Sequence, residues 1–275
     1  MAKAGITKMN SEPVESVEGF LAKVFEGIGH WFNPSVFKPW FRGQSNSKKP
    51  PTPSILRTDL GGKREFNLAT NFRLKAQAYS PTPETGRIDQ WLILMQHHGV
   101  LTRLLDWTES PLAGLFFAVS KFIDKPESKI DSEPGVWVLN PFELNRFSFP
   151  EISKNGAFPN TWTPPADENF KIAFGTAVKP TQYPFAFLPS FIHPRVASQK
   201  SCFTIHGTDK SDFEVIGEST GLTELKYFLK FHIPKKSVKP IIDDLFFRGV
   251  TFTSLFPDLD NLAKDLKYQF SDPGA

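Results

Sequence analysis

The 275-residue sequence holds a single cysteine, Cys202. No internal disulfide and no cysteine-rich metal site can be built from it, which is the usage expected in a reducing, cytoplasmic compartment. Long apolar runs are also lacking. The longest, around Leu112 to Val119, is too short to span a bilayer, and Met1 to Asn10 has no apolar core of a secretory signal, so no membrane partner is expected. Neither sign of charge dominates. Lys+Arg 32 against Asp+Glu 29 leaves +3, too mild to make binding to a long polyanion the default reading, a local basic patch aside. Phosphate-loop and Gly-x-Ser-x-Gly patterns are missing, no Ser-His-Asp set can be assembled, and no internal repeat is visible, which removes the standard hydrolase and nucleotide-loop signatures. What the chain has in abundance is phenylalanine, 28 residues, and proline, 24. Together they describe a phenylalanine-built core joined by many irregular connections.

Taken in order, residues 1–12 are polar and read as a frayed terminus. Val17, Leu21, Val24 and Ile28 recur at helical spacing, with Gly29 able to close the helix. Phe37 to Gln44 is a short aromatic strand, and Lys48 to Pro53 an exposed, proline-stiffened loop. Phe66, Ala69, Phe72 and Ala76 mark a second helix with Arg64, Glu65 and Arg73 near its polar face; Ile88, Trp91, Leu92 and Met95 mark a third. Strands are expected at Gly135 to Pro141, Cys202 to His206 and Leu225 to Pro234. Helices are expected at Ser237 to Arg248, ended by Gly249, and after Asp258, which can cap the last one. From Phe147 to Pro189 the chain is proline-rich with little periodicity and reads as a long excursion packed by its aromatics. Strands and helices mix without a βαβ rhythm, so the expected class is α+β, a single domain with a mixed or mainly antiparallel sheet flanked by helices.

The chemistry concentrates between Gln96 and Pro111. Two histidines, an arginine, an acid, hydroxyls and a tryptophan precede the apolar run Leu112 to Val119. The simplest reading is a polar loop held in a concave site by a buried helix, capped by Ser110 with Pro111 in the first helical position. That helix start would offer free N–H groups to a phosphate or carboxylate. Upstream, Arg42 ends an aromatic strand beside Gly43 and Gln44, so its fork can reach an anion while the glycine admits a ligand to the backbone; an arginine paired at a strand end is the plainer alternative. His97 and His98 are adjacent and cannot share one helix face, which argues against a two-histidine metal site, although one of them can face a ligand. Thr102, Arg103, Asp106, Trp107 and Thr108 read equally as a ligand-binding constellation or as a structural clamp in which a buried Asp106 accepts from Arg103 or from backbone N–H groups. Glu65, Glu109, Glu214 and Glu224 have no local context that marks a general acid.

Phe41-Arg42-Gly43-Gln44, Gln96-His97-His98-Gly99, Thr102 to Thr108, and Ser110-Pro111 with Phe117-Ala118 resemble the FRG domain, named for its phenylalanine-arginine-glycine motif. Later landmarks are similar: the strand at Val136 to Leu139, the Arg195, Gln199 and Phe203 segment, and Ser254 to Asp260. The resemblance implies a domain over residues 13–268 with the proline-rich excursion at about 147–190 and a tail at 269–275. Two positions depart from the pattern. Leu101 stands where proline is usual, and Ser201 where glycine is common.

A weaker resemblance bears on chemistry. The aromatic-Arg-Gly strand, hydroxyl-rich stretch and Phe-Phe-Ala helix are similar to those of ADP-ribosyltransferases, which implies an ADP-ribosyltransferase-like arrangement with NAD as co-substrate and no metal. On that resemblance Arg42 and Arg103 would hold phosphate, Thr102 or Thr108 would order the ribose, and His97 would contact a ribose hydroxyl. Gln199 stands in a suitable late strand, and no glutamate motif is plain. Together the resemblances imply a bacterial toxin or phage-defence effector, with a protein or nucleic acid as target and an antitoxin or regulator as partner. The alternative is a non-catalytic nucleotide- or nucleic-acid-binding module using Arg42, Arg103 and His97. A third reading makes the whole motif a structural clamp.

Overall fold

The structure, a computed structural model, describes residues 13–29, 38–57, 64–79, 81–153, 164–189, 197–220 and 227–270. Expectations for residues 1–12, for Arg195 and Glu224, and for the tail beyond 270 lie outside them. Helix α1 (Val17–Ile28) starts where Ser16 accepts from the Gly19 N–H at 3.0 Å. Strand β1 (Trp40–Gln44) follows, then a 3-10 turn at Ser54–Arg57, α2 (Glu65–Ala76) and α3 (Ile88–His97). Next come β2 (Leu104–Thr108), α4 (Pro111–Val119), β3 (Gly135–Leu139), α5 (Pro141–Ser148), α6 (Pro150–Ser153) and α7 (Pro164–Ile172). The chain continues through β4 (Phe185–Phe187), β5 (Ser201–Ile205), α8 (Phe213–Thr220), β6 (Phe228–His232), α9 (Lys235–Phe247), α10 (Phe252–Leu255) and α11 (Leu259–Gln269).

Among the described residues, six strands form one sheet in the order β4-β5-β2-β1-β3-β6, antiparallel at every pairing. The fold is α+β, as the mixture of patterns predicts. Because side chains alternate across a strand, the register assigns each residue to a face. Phe41, Val136, Val138, Leu229 and Phe231 share one face with Leu104, Asp106, Phe203, Ile205, Phe185 and Phe187. That face carries two separate apolar clusters. One joins β1, β3 and β6 to α1, α4 and α9; the other joins β2, β5 and β4 to α3 and α7. The opposite face is a third cluster, with Trp40, Leu105, Trp107 and Trp137 against Leu144 of α5 and Phe213 of α8. A seam therefore runs down one face between two helical groups, over the boundary of β1 and β2.

The boundary is itself weak. β1 and β3 share five register pairs, whereas β1 and β2 share the single pair Phe41 with Thr108. Beyond that pair the strands separate, and the groups on their facing edges need other partners.

Four expectations are corrected. The polar stretch after His98 is not one loop: Leu104 to Thr108 is a central strand, since Leu105 and Trp107 bury on one face and Leu104 and Thr108 on the other. The excursion from Phe147 contains α7 and the edge strand β4, whose Ala186 exchanges N–H and C=O bonds with the Asn145 amide at 2.7 and 2.8 Å. Pro51 and Pro53 are buried, not exposed. Glu65 is buried rather than on a polar face.

Candidate functional site

The seam opens into a cavity of about 310 Å³. Its floor is Phe41, Gly43, Asp106, Ser201 and Phe203 of the sheet, and its walls are Ile93, Gln96 and His97 of α3, Phe117 of α4, Gln199 and Phe256. The cavity also reaches through the split between β1 and β2 to Arg42 and Trp107, whose strand positions belong to the other face.

The three motif residues on β1 do three different things. Phe41 packs on α4, where Gly114 leaves room: a Cβ there would stand 2.7 Å from the Phe41 Cβ. Gly43 is required by the same helix, because its Cβ would meet Gly114 O at 2.0 Å and Ala118 N at 2.3 Å. Backbone of α4, rather than a ligand, fills the space that the glycine vacates. Arg42 occupies the split. Its Nη1 donates to Asp106 O at 2.6 Å, taking a carbonyl that β1 would have paired had the strands stayed together. Its Nε is buried with no partner. Burial pushes the guanidinium down to about 10, opposed by Asp106 and aided by the nearby Arg57. A cation with an unused buried donor at the bottom of a cavity is an exception to the rule that buried polar groups are hydrogen-bonded.

Around it runs a relay. The Thr102 hydroxyl donates to Gln96 Oε1, which orients the amide so that Nε2 donates to Asp106 Oδ2 at 2.7 Å. Thr102 is itself fixed by Ser54, whose Oγ accepts from its N–H at 3.1 Å. Thr102 thus stands behind the cavity and acts on it through Gln96. On the other wall, Thr108 donates to Gln199 O at 2.6 Å, and Gln199 Nε2 donates to Leu255 O at 3.1 Å. The turn there puts Lys200 at φ 47°, a left-handed conformation uncommon for a side-chain-bearing residue.

Arg103 does not reach the cavity. Only 5% exposed, it donates from Nε and Nη2 to the two Glu65 carboxylate oxygens and from Nη1 to His206 O and Gly207 O, both at 2.9 Å. The expected Arg103 with Asp106 clamp is replaced by Arg103 with Glu65, and Asp106 is exposed to the cavity instead. Thr108 and Gln44 also lie off the lining, Gln44 donating to Lys49 O at 3.1 Å. The start of α4 is satisfied locally, Ser110 accepting from Ala113 N at 3.3 Å, and only Phe117 of that helix lines the cavity. Glu214 pairs with Lys230 at 3.0 Å and Glu109 with Lys38 at 3.2 Å.

Of the sequence-derived site residues, the cavity brings together Arg42, Gly43, His97, Asp106, Trp107 and Gln199. It adds Ile93, Gln96, Ser201, Phe117, Phe203 and Phe256. The first two were detectable, since Ile93, Gln96 and His97 stand at i, i+3 and i+4 on one helix face. Among the described residues, no group of three or more His, Cys, Asp or Glu side chains converges as a metal site, and no helix is long and apolar enough to cross a membrane.

Compared with known families, residues 38–127 match the model of the FRG domain. The match includes Arg42, Gln96, His97 and Asp106, while Gln199, Ser201, Phe203 and Phe256 reach the cavity from beyond it. No match was found among curated proteins or among solved structures.

Proposed function

We propose that this chain, an FRG domain over residues 38–127, binds a nucleotide in the Arg42 cavity and acts on NAD as an ADP-ribosyltransferase-like enzyme. One observation carries the reading: an arginine with a buried, unpartnered Nε faces an aromatic-walled cavity that also holds a carboxylate. A nucleotide offers the complement, a planar ring for Phe117, Phe203 and Phe256 and a phosphate for Arg42. At about 310 Å³ the cavity lies near the lower end for small-molecule sites, roughly 300 Å³, so it takes the nicotinamide ribosyl phosphate portion and leaves the rest of a dinucleotide towards solvent.

In the reaction, the bond from ribose C1′ to the nicotinamide nitrogen breaks and nicotinamide leaves with the bonding pair. A nucleophile from water or a macromolecular target bonds to C1′ and gives up its proton to solvent. Asp106, the acid in the lining, supplies negative charge to the oxocarbenium-like ribose, and the Gln96 amide holds that carboxylate in place. His97 and Gln199 stand where they can contact ribose hydroxyls or the carboxamide. Arg103, Thr102 and Thr108 support these groups from behind and make no ligand contact.

A second reading, a nucleotide-binding module without bond making, is favoured by the Gln96 bond that already occupies the Asp106 carboxylate. A thermal-shift titration of wild type and Arg42→Ala with NAD and ADP-ribose, followed by an assay of released nicotinamide, separates the two. The enzyme reading expects a shift lost in the variant together with nicotinamide release. A shift without release leaves the binding module, and no shift with either ligand sinks the enzyme reading and makes a polynucleotide or protein partner the next thing to test.

A further inference from the structure

The last helix is amphipathic in the wrong sense for a helix that closes a core. Facing the body of the protein, α11 presents polar groups: Asp265 accepts from Phe252 N at 2.9 Å and Thr253 N at 2.8 Å, and Tyr268 donates to Asp243 while its ring lies 4.3 Å from that of Phe246. Asn261 and Asp265 are buried. The outward side is apolar. Leu259 is 81% exposed, Leu262 40%, Leu266 45% and Phe270 84%. At 100° per residue these four fall within an arc of about 80°, with Ala263 beside them. Such a stripe, held outward by the inner hydrogen bonds, is the pattern of an interaction face.

We propose that this face pairs with the same face of a second copy, the two α11 helices running antiparallel about a twofold axis near Ala263. Charge selects this occupant. Asp260 and Lys267, both exposed, flank the stripe on the same side, seven residues and about 10 Å apart along the helix. In an antiparallel pair, same-side flanks face each other at mirrored heights, so Asp260 of each copy meets Lys267 of the other. A parallel pair would bring this flank against the other side of the stripe and leave both charges unmatched. The small Ala263 sits midway between them, at the crossing point where close approach is needed.

The test is the solution mass of the full chain, by light scattering across a concentration series, with unfolding midpoints as a check that each variant folds. Wild type is expected at twice the 31.0 kDa chain mass, and Leu262→Glu/Leu266→Glu at the single mass. Asp260→Lys should weaken the dimer by roughly two- to fivefold for each of the two symmetric contacts, as exposed ion pairs do. Asp260→Lys/Lys267→Asp should restore it, an outcome that does not depend on the leucine variant folding. A wild type that is monomeric at every concentration overturns the proposal, including one that instead sediments with anionic phospholipid vesicles. So does a dimer that survives Leu262→Glu/Leu266→Glu, or a charge reversal that the second reversal fails to rescue.

Discussion

Two arginines of the sequence motifs meet opposite fates. Arg103 has four carbonyl or carboxylate acceptors around it and does not line the cavity. Arg42 has one carbonyl acceptor, an idle Nε and an open cavity in front of it. Both sit beside β2, and the difference lies in the sheet. Where β2 pairs with β5 over five residues the neighbourhood closes, and where it meets β1 at one residue the neighbourhood opens. A cation in the closed region stabilises the fold, whereas a cation in the open one is available to a ligand. The largest test removes a partner from the closed region. Glu65→Ala leaves the Arg103 guanidinium buried without its carboxylate and should cost about 3–5 kcal/mol, read by denaturant unfolding. A loss below about 1 kcal/mol, the range of exposed ion pairs, would mean that the region is not closed.

The next effect sharpens the comparison from the β1 side. Gly43→Ala drives a Cβ into the α4 backbone, which cannot swing aside as a side chain would. The expected loss is about 1–3 kcal/mol or more. If the cavity depends on α4 lying against β1, ligand-induced thermal shifts should fall with it. A stable Gly43→Ala protein that loses only binding would instead make the glycine a ligand contact.

These contrasts also explain what the sequence could reveal. Helix starts and stops were legible because they are local: Ser110 and Asp258 accept the cap bonds expected of them, and Gly249 takes φ 75° beyond α9. The Arg42 cavity was legible in part, since Arg42, His97 and Asp106 lie in two short motifs. The partner of Arg103 was not. Glu65 precedes it by 38 positions on a helix whose apolar spacing gives no sign that a first-turn acid turns inward. Reading β2 as a loop had the same origin: a strand buried on both faces beside a cavity shows no alternation of apolar and polar residues.

A smaller effect per unit of pH reports on the closed region from its other side. Burial, with the charge of Arg103, pushes His206 from its ordinary 6.5 down to about 3. Between those values the unfolded chain holds a proton that the folded chain does not, so this residue lowers stability as pH falls below 6.5 and costs nothing above it. The slope is at most about 1.4 kcal/mol per pH unit. Unfolding midpoints for wild type and His206→Phe at pH 7 and pH 5 should diverge, wild type losing more. Parallel losses would mean that the ring is protonated as readily folded as unfolded.

The smallest expected change in stability belongs to Arg42. A guanidinium pushed down to about 10 by burial, with one hydrogen bond in return, contributes little to folding, so Arg42→Ala should shift unfolding by about 1 kcal/mol or less. Its removal frees Asp106 O, which water entering the cavity can satisfy. The same substitution should abolish the nucleotide response. The pairing of a near-silent stability change with a complete binding loss is what separates Arg42 from Glu65→Ala, where any loss of binding follows unfolding. Arg42→Lys sharpens the point, because a point charge keeps the cation but gives up the planar fork. If Lys restores binding, the cavity asks only for positive charge; if it does not, the ligand needs the planar guanidinium fork.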